Sequence, residues 1–311
     1  MDVPFCILRC RFYGLHKHAI TMNPMPAQYI GRFAPSPTGP LHAGSLVSAL
    51  GSWADARHHG GKWLVRIEDI DPQRESPNAA EDIVNSLKAH HLYPDEDITW
   101  QHDNSRHYDE ALEELRQQQK LYACTCTRKT LRALQQSNYP GTCRHLNHAE
   151  EDRALRVSVT DQVIEFEDIV HGTVSEQVSH SVGDFIVRRR GPFYAYQLAV
   201  VVDDARQNIT HVVRGSDLLD NTARQIKLQQ LLHYPTPAYL HLPLAIGNDG
   251  RKLSKQTGAR ALDDSNPLSN LKAAWRLLGQ SEPATTLNSC QQFLAHCRDN
   301  WDRTSIPTMC F

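Results

Sequence analysis

Residues 31–50 read GRFAPSPTGPLHAGSLVSAL, and they combine three prolines, three glycines and a single histidine, His42. Residues 28–33 are typical of a short strand, and apolar residues recur at helical spacing from Leu46 onward. The frame G-x-x-x-x-G-S lacks the lysine of a phosphate loop, so that kind of nucleotide site is not favoured. A strand, a tight turn and a helix start still predict an anion site, because the first N–H groups of a helix and its dipole attract negative charge.

The segment after this turn continues the alternation of helix and strand. Residues 63–67, WLVRI, are typical of a buried strand. Ser76 and Pro77 predict the start of a second helix, with Ser76 as its N-cap and Pro77 in its first turn. Strand, helix, strand and helix in this order favour a right-handed parallel α/β unit.

The middle of the chain has a different pattern. Residues 106–120 predict a charged amphipathic helix, and a cysteine region and short alternating runs typical of strands follow it. The α/β pattern resumes near residue 199, and helical pieces fall around 268–278 and 290–297. The predicted parts are an N-terminal extension (1–27), the first half of an α/β domain (28–105), an insertion (106–190), the second half of the domain (191–247) and a loop with a short helical tail (248–311). For the extension the sequence leaves two interpretations open, a start at Met22 or Met25 and a presequence.

Composition limits the classes of protein to consider. The 311 residues are 40% hydrophobic and 22% charged, and no apolar run approaches the roughly 20 residues that span a membrane. The net charge is −2, so a nucleic-acid partner must be held by a local basic patch rather than by the field of the whole protein. No secretory signal pattern is present, which favours a reducing, cytoplasmic location for the eight cysteines.

Three of the cysteines are spaced as metal ligands. Cys124 and Cys126 are separated by one residue, and Cys143 follows after sixteen more. Three thiolates suit zinc, and no residue nearby suggests a base for zinc hydrolysis, so the metal is predicted to be structural, with one ion per chain. Spacing alone favours His145 or His148 as the fourth ligand.

A basic loop near the C-terminus completes a pair of signatures. Residues 251–256 read RKLSKQ, and two lysines three apart suit a polyphosphate. Together, P-x-P-T-G-x-L-H-x-G (35–44) and K-L-S-K (252–255) resemble the HIGH and KMSKS signatures of class I aminoacyl-tRNA synthetases, in order and in separation. The sequence departs from the family's pattern in Ser45, which replaces the second histidine, and in Gln256. The resemblance implies a Rossmann-type catalytic domain that activates an amino acid with ATP and Mg²⁺.

Further stretches resemble the glutamyl branch of that class, and the match runs from Arg32 to Lys255. They are IEDIDPQR (67–74), AVVVDD (199–204) and VVRGSDLL (212–219). The residues that the resemblance implies for L-glutamate binding are Arg32, Phe33, Ala34, Pro35, Ser36, Glu68, Tyr196 and Arg214. Those that it implies for ATP binding are His42, Gly44, Lys252 and Lys255, with His42 and Lys255 as catalytic residues.

The resemblance also assigns individual roles. Arg32, Tyr196 and Arg214 are implied to contact the side-chain carboxylate of glutamate, and Glu68 its ammonium group. Arginine suits this role because its guanidinium forms bidentate pairs with carboxylates. For the metal, the family pattern C-x-C…Y-x3-C implies Tyr139 as the fourth ligand in place of His145.

Chain length separates two expectations within this branch. Only 56 residues (311 minus 255) follow Lys255, fewer than an anticodon-binding region needs. This resembles truncated members, which activate glutamate without tRNA and transfer it to queuosine in the anticodon of tRNA(Asp). A truncated enzyme that charges the 3′ end of tRNA(Glu), or an inactive synthetase-like protein that binds RNA or another partner, is the alternative. We expect a monomer that does not associate with membranes.

Overall fold

The computed structural model describes residues 28–133, 138–244 and 260–308. The strands in these ranges are β1 (Ile30–Phe33), β2 (Lys62–Ile67), β3 (Thr99–Trp100), β4 (Leu121–Cys124), β5 (Ala154–Val157), β6 (Val163–Asp168), β7 (Gly172–Gln177), β8 (Phe185–Arg188), β9 (His211–Gly215) and β10 (Ala238–Leu242). The α-helices in these ranges are α1 (Ala43–His58), α2 (Ala79–Ala89), α3 (Ser105–Gln117), α4 (Arg128–Ala133), α5 (Val178–Ser181), α6 (Tyr196–Arg206), α7 (Thr222–Leu231), α8 (Pro267–Leu277) and α9 (Cys290–Asp299).

The main sheet is parallel except at one edge. Its strand order is β3-β2-β1-β9-β10-β6-β7, and only the β6–β7 pair is antiparallel. The two strands nearest the start of the chain, IGRF and KWLVRI, are almost wholly buried, as expected for parallel strands covered on both faces. The predicted α/β class with a mostly parallel sheet is therefore confirmed.

Strand order reverses beside β1. The chain passes from β1 to β2 on one side, whereas β9, far along the sequence, pairs with the other side of β1. Ligands of open α/β sheets bind in the crevice outside the carboxyl ends of the strands at such a switch point. The residues that follow β1 and β2, and the last residues of β9, meet at this crevice.

The segment predicted as an insertion contributes to two sheets. Strands β4, β5 and β8 form a separate antiparallel sheet, whereas the β6–β7 hairpin extends the main sheet by pairing with β10. The hairpin therefore shares the architecture of the main sheet, and the residue boundaries of the five parts stay a prediction.

Helix α1 lies against the sheet and is held by the C-terminal region. A Cβ atom at Gly51 would approach Leu242 Cδ1 to 2.6 Å, so the glycine permits close contact between helix and strand. On the same helix, buried Asp55 accepts hydrogen bonds from Trp301 Nε1 at 2.8 Å and Arg303 Nε at 2.7 Å. The helical tail after residue 260 is thereby fixed to the helix that follows the proline-glycine turn.

The predicted start of α2 was wrong by two residues. The helix begins at Ala79 with Asn78 at its N-cap position, and Ser76 donates its hydroxyl to the carbonyl of Thr38 instead. Asn78 has φ 63°, a left-handed conformation that asparagine tolerates and that prevents the helix from starting earlier. Within the described ranges, no helix is both long and apolar enough to cross a membrane.

Candidate active site

A cavity of about 270 Å³ opens at the carboxyl ends of β1 and β2. Its lining residues are Ser36, Thr38, Glu68, Ile70, Asp71, Arg74, Glu75, Gln101, Arg189, Tyr194, Ala195 and Tyr196. Three of them, Ser36, Glu68 and Tyr196, are residues that the family resemblance implies for glutamate binding. The cavity therefore lies where the switch-point rule expects a ligand.

A buried cluster of charges lies next to this cavity. Arg32, on β1, forms a bidentate pair with Asp204 of α6, with N–O distances of 3.0 and 3.2 Å. Arg66, on β2, donates to the same carboxylate at 2.9 Å and to Glu68 at 3.2 Å. The cluster positions Glu68 and Arg32 relative to each other. Its carboxylates also provide counter-charges for the two buried guanidinium groups.

Asp204 and Arg66 were not predicted as site residues. Asp204 is the last residue of AVVVDD, and its carboxylate is central to the cluster. The sequence contains a feature that could have indicated them: two acidic residues at the end of an apolar helical run need partners when they are buried.

Glu68 has an unusual protonation equilibrium. Burial disfavours its ionised form and raises the pKa of the carboxyl group to about 7, although the charges of Arg66 and Arg32 oppose the shift. Its backbone N–H donates to the carbonyl of Pro35 at 3.0 Å, which ties the loop after β1 to the loop after β2. Glu68 is therefore only partly ionised near neutral pH, and a nearby ammonium group would favour its charged form.

Arg214, near the end of β9, is a buried cation among uncharged partners. It donates to His241 Nε2 at 3.1 Å, to Gln225 Oε1 at 2.8 Å and to Thr222 Oγ1 at 2.9 Å. A contact with the Leu218 carbonyl is longer, at 3.4 Å. A guanidinium group with these partners suits a carboxylate ligand, because burying a charge without a counter-charge is unfavourable.

The remaining predicted glutamate residues are distributed around this site. Tyr196, the first residue of α6, is half-buried; burial raises the pKa of its hydroxyl, and the charge of Arg214 opposes that shift. Ala34 and Pro35 are partly buried and Ser36 is exposed. The Phe33 ring packs against Trp63 in the core, with 6.4 Å between ring centroids, so only the backbone of Phe33 can face a ligand.

His42 lies at the N-cap position of α1. Its Nδ1 atom accepts the backbone N–H of Ser45 at 3.2 Å, so the ring proton of the neutral imidazole is on Nε2. Gly44 lies in the first turn of the same helix. His42 also pairs with Ala261, and the N–H of Leu262 donates to the carbonyl of Leu41 at 2.9 Å.

The chain after residue 260 thus lies beside the predicted ATP site. Lys252 and Lys255 precede it and lie outside the described residues.

The predicted metal ligands form a compact cluster. The sulfur atoms of Cys124, Cys126 and Cys143 lie within 4.8 Å of one another. The Tyr139 hydroxyl is 3.4 Å from Cys124 Sγ and 3.8 Å from Cys126 Sγ, whereas His145 is exposed. Tetrahedral zinc with bonds of about 2.3 Å separates its sulfur ligands by roughly 3.8 Å. These residues therefore fit a metal ion, with Tyr139 as the nearest fourth donor.

The chain matches known proteins along most of its length. A family model described as the catalytic domain of class I tRNA synthetases (E and Q) matches residues 30–272. A glutamyl-Q tRNA(Asp) synthetase from Burkholderia cenocepacia is 50% identical over 301 residues, which cover 92% of this chain and 99% of that relative. A protein of the same name from Cupriavidus metallidurans is 50% identical over 288 residues, or 89% of this chain and 92% of that relative.

Solved structures show the same fold. A glutamate tRNA ligase from Elizabethkingia meningosepticum, crystallised in complex with its amino acid, superposes with a TM-score of 0.75 at 25% identity. The match covers 90% of this chain, which spans 66% of the length of that ligase.

Fold, cavity and family model together define a class I tRNA synthetase catalytic domain, an enzyme of glutamate chemistry. Within that class, the chain belongs to the glutamyl-Q tRNA(Asp) synthetases.

Proposed function

We propose that this chain activates L-glutamate with ATP in the absence of tRNA and transfers the glutamyl group to queuosine in the anticodon of tRNA(Asp). The observation that carries the proposal is the placement of a buried guanidinium (Arg214) and a buried carboxylate (Glu68) at the carboxyl ends of β9 and β2, the two strands that flank β1. An amino acid with a second carboxylate needs both recognitions, a cation for its side chain and an anion for its ammonium group. The names of relatives that are 50% identical to this chain support the transfer step.

Glutamate would bind with its side chain towards Arg214 and Tyr196 and its ammonium group towards Glu68. Arg32 would contact the side-chain carboxylate while Asp204 fixes its guanidinium through two hydrogen bonds. Ser36 and the backbone of residues 33–35 would line the remainder of the site. The bound substrate then needs no base, because its α-carboxylate is already an anion.

Activation would proceed by in-line attack of the α-carboxylate on the α-phosphorus of ATP. A new oxygen–phosphorus bond forms, the bond to the bridging oxygen breaks, and pyrophosphate leaves with Mg²⁺. The Nε2–H of His42 and the first N–H groups of α1, near Gly44, would stabilise charge on the phosphates, and so would Lys252 and Lys255. Because these groups donate hydrogen bonds or positive charge and no base is needed, catalysis rests on positioning and electrostatics.

Pyrophosphate exchange and transfer assays test the two halves of the proposal. We expect exchange with glutamate and ATP alone, and transfer of labelled glutamate to tRNA(Asp) that carries queuosine but not to the same tRNA without it. Exchange that appears only after tRNA is added, or label on the 3′ adenosine of tRNA(Glu), would favour a tRNA(Glu)-charging enzyme instead. Absence of exchange under all conditions would indicate an inactive, synthetase-like binding protein.

The pH dependence of exchange should report the ionisation of Glu68. The carboxyl group has a pKa of about 7, and only its ionised form attracts the substrate ammonium group. We therefore expect kcat/KM for glutamate to fall as pH decreases through 7, with about a tenfold loss at pH 6 relative to the plateau above pH 8. In Glu68→Gln this limb should flatten; an unchanged limb would exclude Glu68 as its source.

We further propose that one zinc ion, held by Cys124, Cys126, Cys143 and Tyr139, stabilises the fold of the predicted insertion. The bound metal would cross-link β4 to the loop before β5, and no catalytic step uses it. The protein is proposed to act as a monomer in the cytoplasm, with ATP, glutamate and tRNA as its partners.

Removing one ligand should release the metal. Cys124→Ser is expected to lower zinc content from one equivalent to below one-half and to lower the melting temperature, because a structural zinc site contributes to folding free energy. Exchange activity per folded molecule should change little. Cys290→Ser, a buried cysteine outside the cluster, is the matched control and should keep its zinc. Protein purified without chelator that contains no zinc would contradict this proposal.

A further inference from the structure

A line of three buried side chains crosses strands β9, β10 and β6. Arg214 on β9 is in register with His241 on β10, and Asp168 ends the adjacent strand β6. The exposed fractions of Arg214, His241 and Asp168 are 5%, 0% and 2%. Arg214 Nε lies 3.1 Å from His241 Nε2, and His241 Nδ1 lies 2.6 Å from Asp168 Oδ2.

The chemistry of these groups permits one arrangement of protons. A guanidinium group can only donate, so Nε2 of His241 must accept and its ring proton must be on Nδ1. Asp168 Oδ2 accepts a hydrogen bond from this Nδ1–H group. The other oxygen, Oδ1, accepts hydrogen bonds from the backbone N–H groups of Val170 and His171 at 3.1 and 3.0 Å. Asp168 therefore determines the tautomer of His241, and His241 determines the orientation of Arg214.

We propose that Asp168 and His241 are positioning residues for Arg214, which they hold so that an Nη1–H group faces the side-chain carboxylate of glutamate. Nη1 carries two N–H groups, and Gln225 takes one of them. This inference rests on the glutamate-binding role of Arg214 proposed above. It assigns a part in substrate selection to the β6–β7 hairpin, within the segment predicted as an insertion.

The first test is Asp168→Asn. The backbone N–H groups at Oδ1 would keep the amide oxygen there and place the amide N–H2 against His241 Nδ1. The imidazole would then carry its proton on Nε2, facing another donor on Arg214. We expect KM for glutamate to rise at least tenfold in the exchange assay, with KM for ATP unchanged and kcat within threefold, since a ground-state contact of the substrate is lost.

A matched control separates this effect from general disturbance of the hairpin. His171 Nδ1 lies 2.9 Å from Oδ1 of the same Asp168 carboxylate, and its ring lies edge-on to that of His241 with 6.5 Å between centroids, so His171 shares the surroundings of Asp168 without lying between His241 and Arg214. His171→Asn should keep KM for glutamate within twofold of wild type. A tenfold rise in His171→Asn would overturn the inference, because the hairpin and not the tautomer would then be responsible.

Variants of His241 test the acceptor directly and do not depend on the folding of Asp168→Asn. His241→Gln places an amide oxygen that can accept from Arg214, whereas His241→Leu cannot accept. We expect the glutamine variant to keep KM at least fivefold lower than the leucine variant, and Asp168→Asn to have little further effect in the His241→Gln background. Equal KM values in the two variants would overturn the inference.

The same series distinguishes failure of this inference from failure of the proposed function. If Arg214→Met abolishes exchange while Asp168→Asn keeps KM within twofold, Arg214 binds glutamate but does not need these positioning residues. If Arg214→Met keeps the wild-type KM, the role of Arg214 itself is wrong.

Discussion

Replacement of Arg214 by methionine is expected to lower kcat/KM for glutamate roughly thirtyfold to several thousandfold in the pyrophosphate exchange assay. This range corresponds to a loss of about 2–5 kcal/mol of transition-state stabilisation. Methionine keeps much of the side-chain volume but removes the charge that would pair with the substrate carboxylate. Because Arg214 is buried and its four contacts are uncharged, water cannot easily replace the lost interaction.

Glutamine provides the complementary measurement. Its neutral amide leaves the buried guanidinium without a counter-charge, so wild type should prefer glutamate strongly. In Arg214→Met that preference should narrow by at least tenfold, since the charge that distinguishes the two substrates is gone. Arg206→Met, at the exposed end of α6, is the control and should behave as wild type. A loss of less than threefold in Arg214→Met would contradict the assignment.

Lys255→Ala is expected to lower kcat of adenylate formation roughly a hundredfold, with little change in KM for glutamate. The change corresponds to an activation barrier that is about 3 kcal/mol higher. A lysine that stabilises charge developing on the phosphates contributes more in the transition state than in the ground state. Single-turnover formation of the adenylate measures the step directly. Lys88→Ala, on the exposed face of α2, is the matched control.

An exchange rate of Lys255→Ala within twofold of wild type would mean that the lysine does not act on the phosphates. The prediction rests on the sequence signature alone, because Lys255 lies outside the described residues.

Local patterns in the sequence were enough to predict the class of fold. Alternating strands and helices favoured a parallel sheet, and the structure confirms one that includes β1, β2, β9 and β10. The cysteine spacing likewise placed Cys124, Cys126 and Cys143 together. The individual strands and helices and the cysteine spacing are local features. The hydrophobic period, the turn residues and the ligand spacing of the sequence determine them directly.

Partner choices inside the site could not be predicted in this way. The Arg32–Asp204 pair joins residues 172 positions apart, and the His241–Asp168 contact joins residues 73 positions apart. Even the start of α2 was displaced, because Asn78 adopts a left-handed conformation that the Ser-Pro signal does not encode.

Residue type and spacing thus determined which groups this protein has for its chemistry: a histidine at a helix start, arginines and acids near strand ends, and three thiols. Strand order decided which of them meet. Because β6 joins β10 at the edge of the main sheet, Asp168 reaches His241 and through it Arg214, although nothing in the local sequence connects them. Burial then decided the strength of these contacts. A hydrogen bond or ion pair that is removed from water has few competing partners and keeps one geometry.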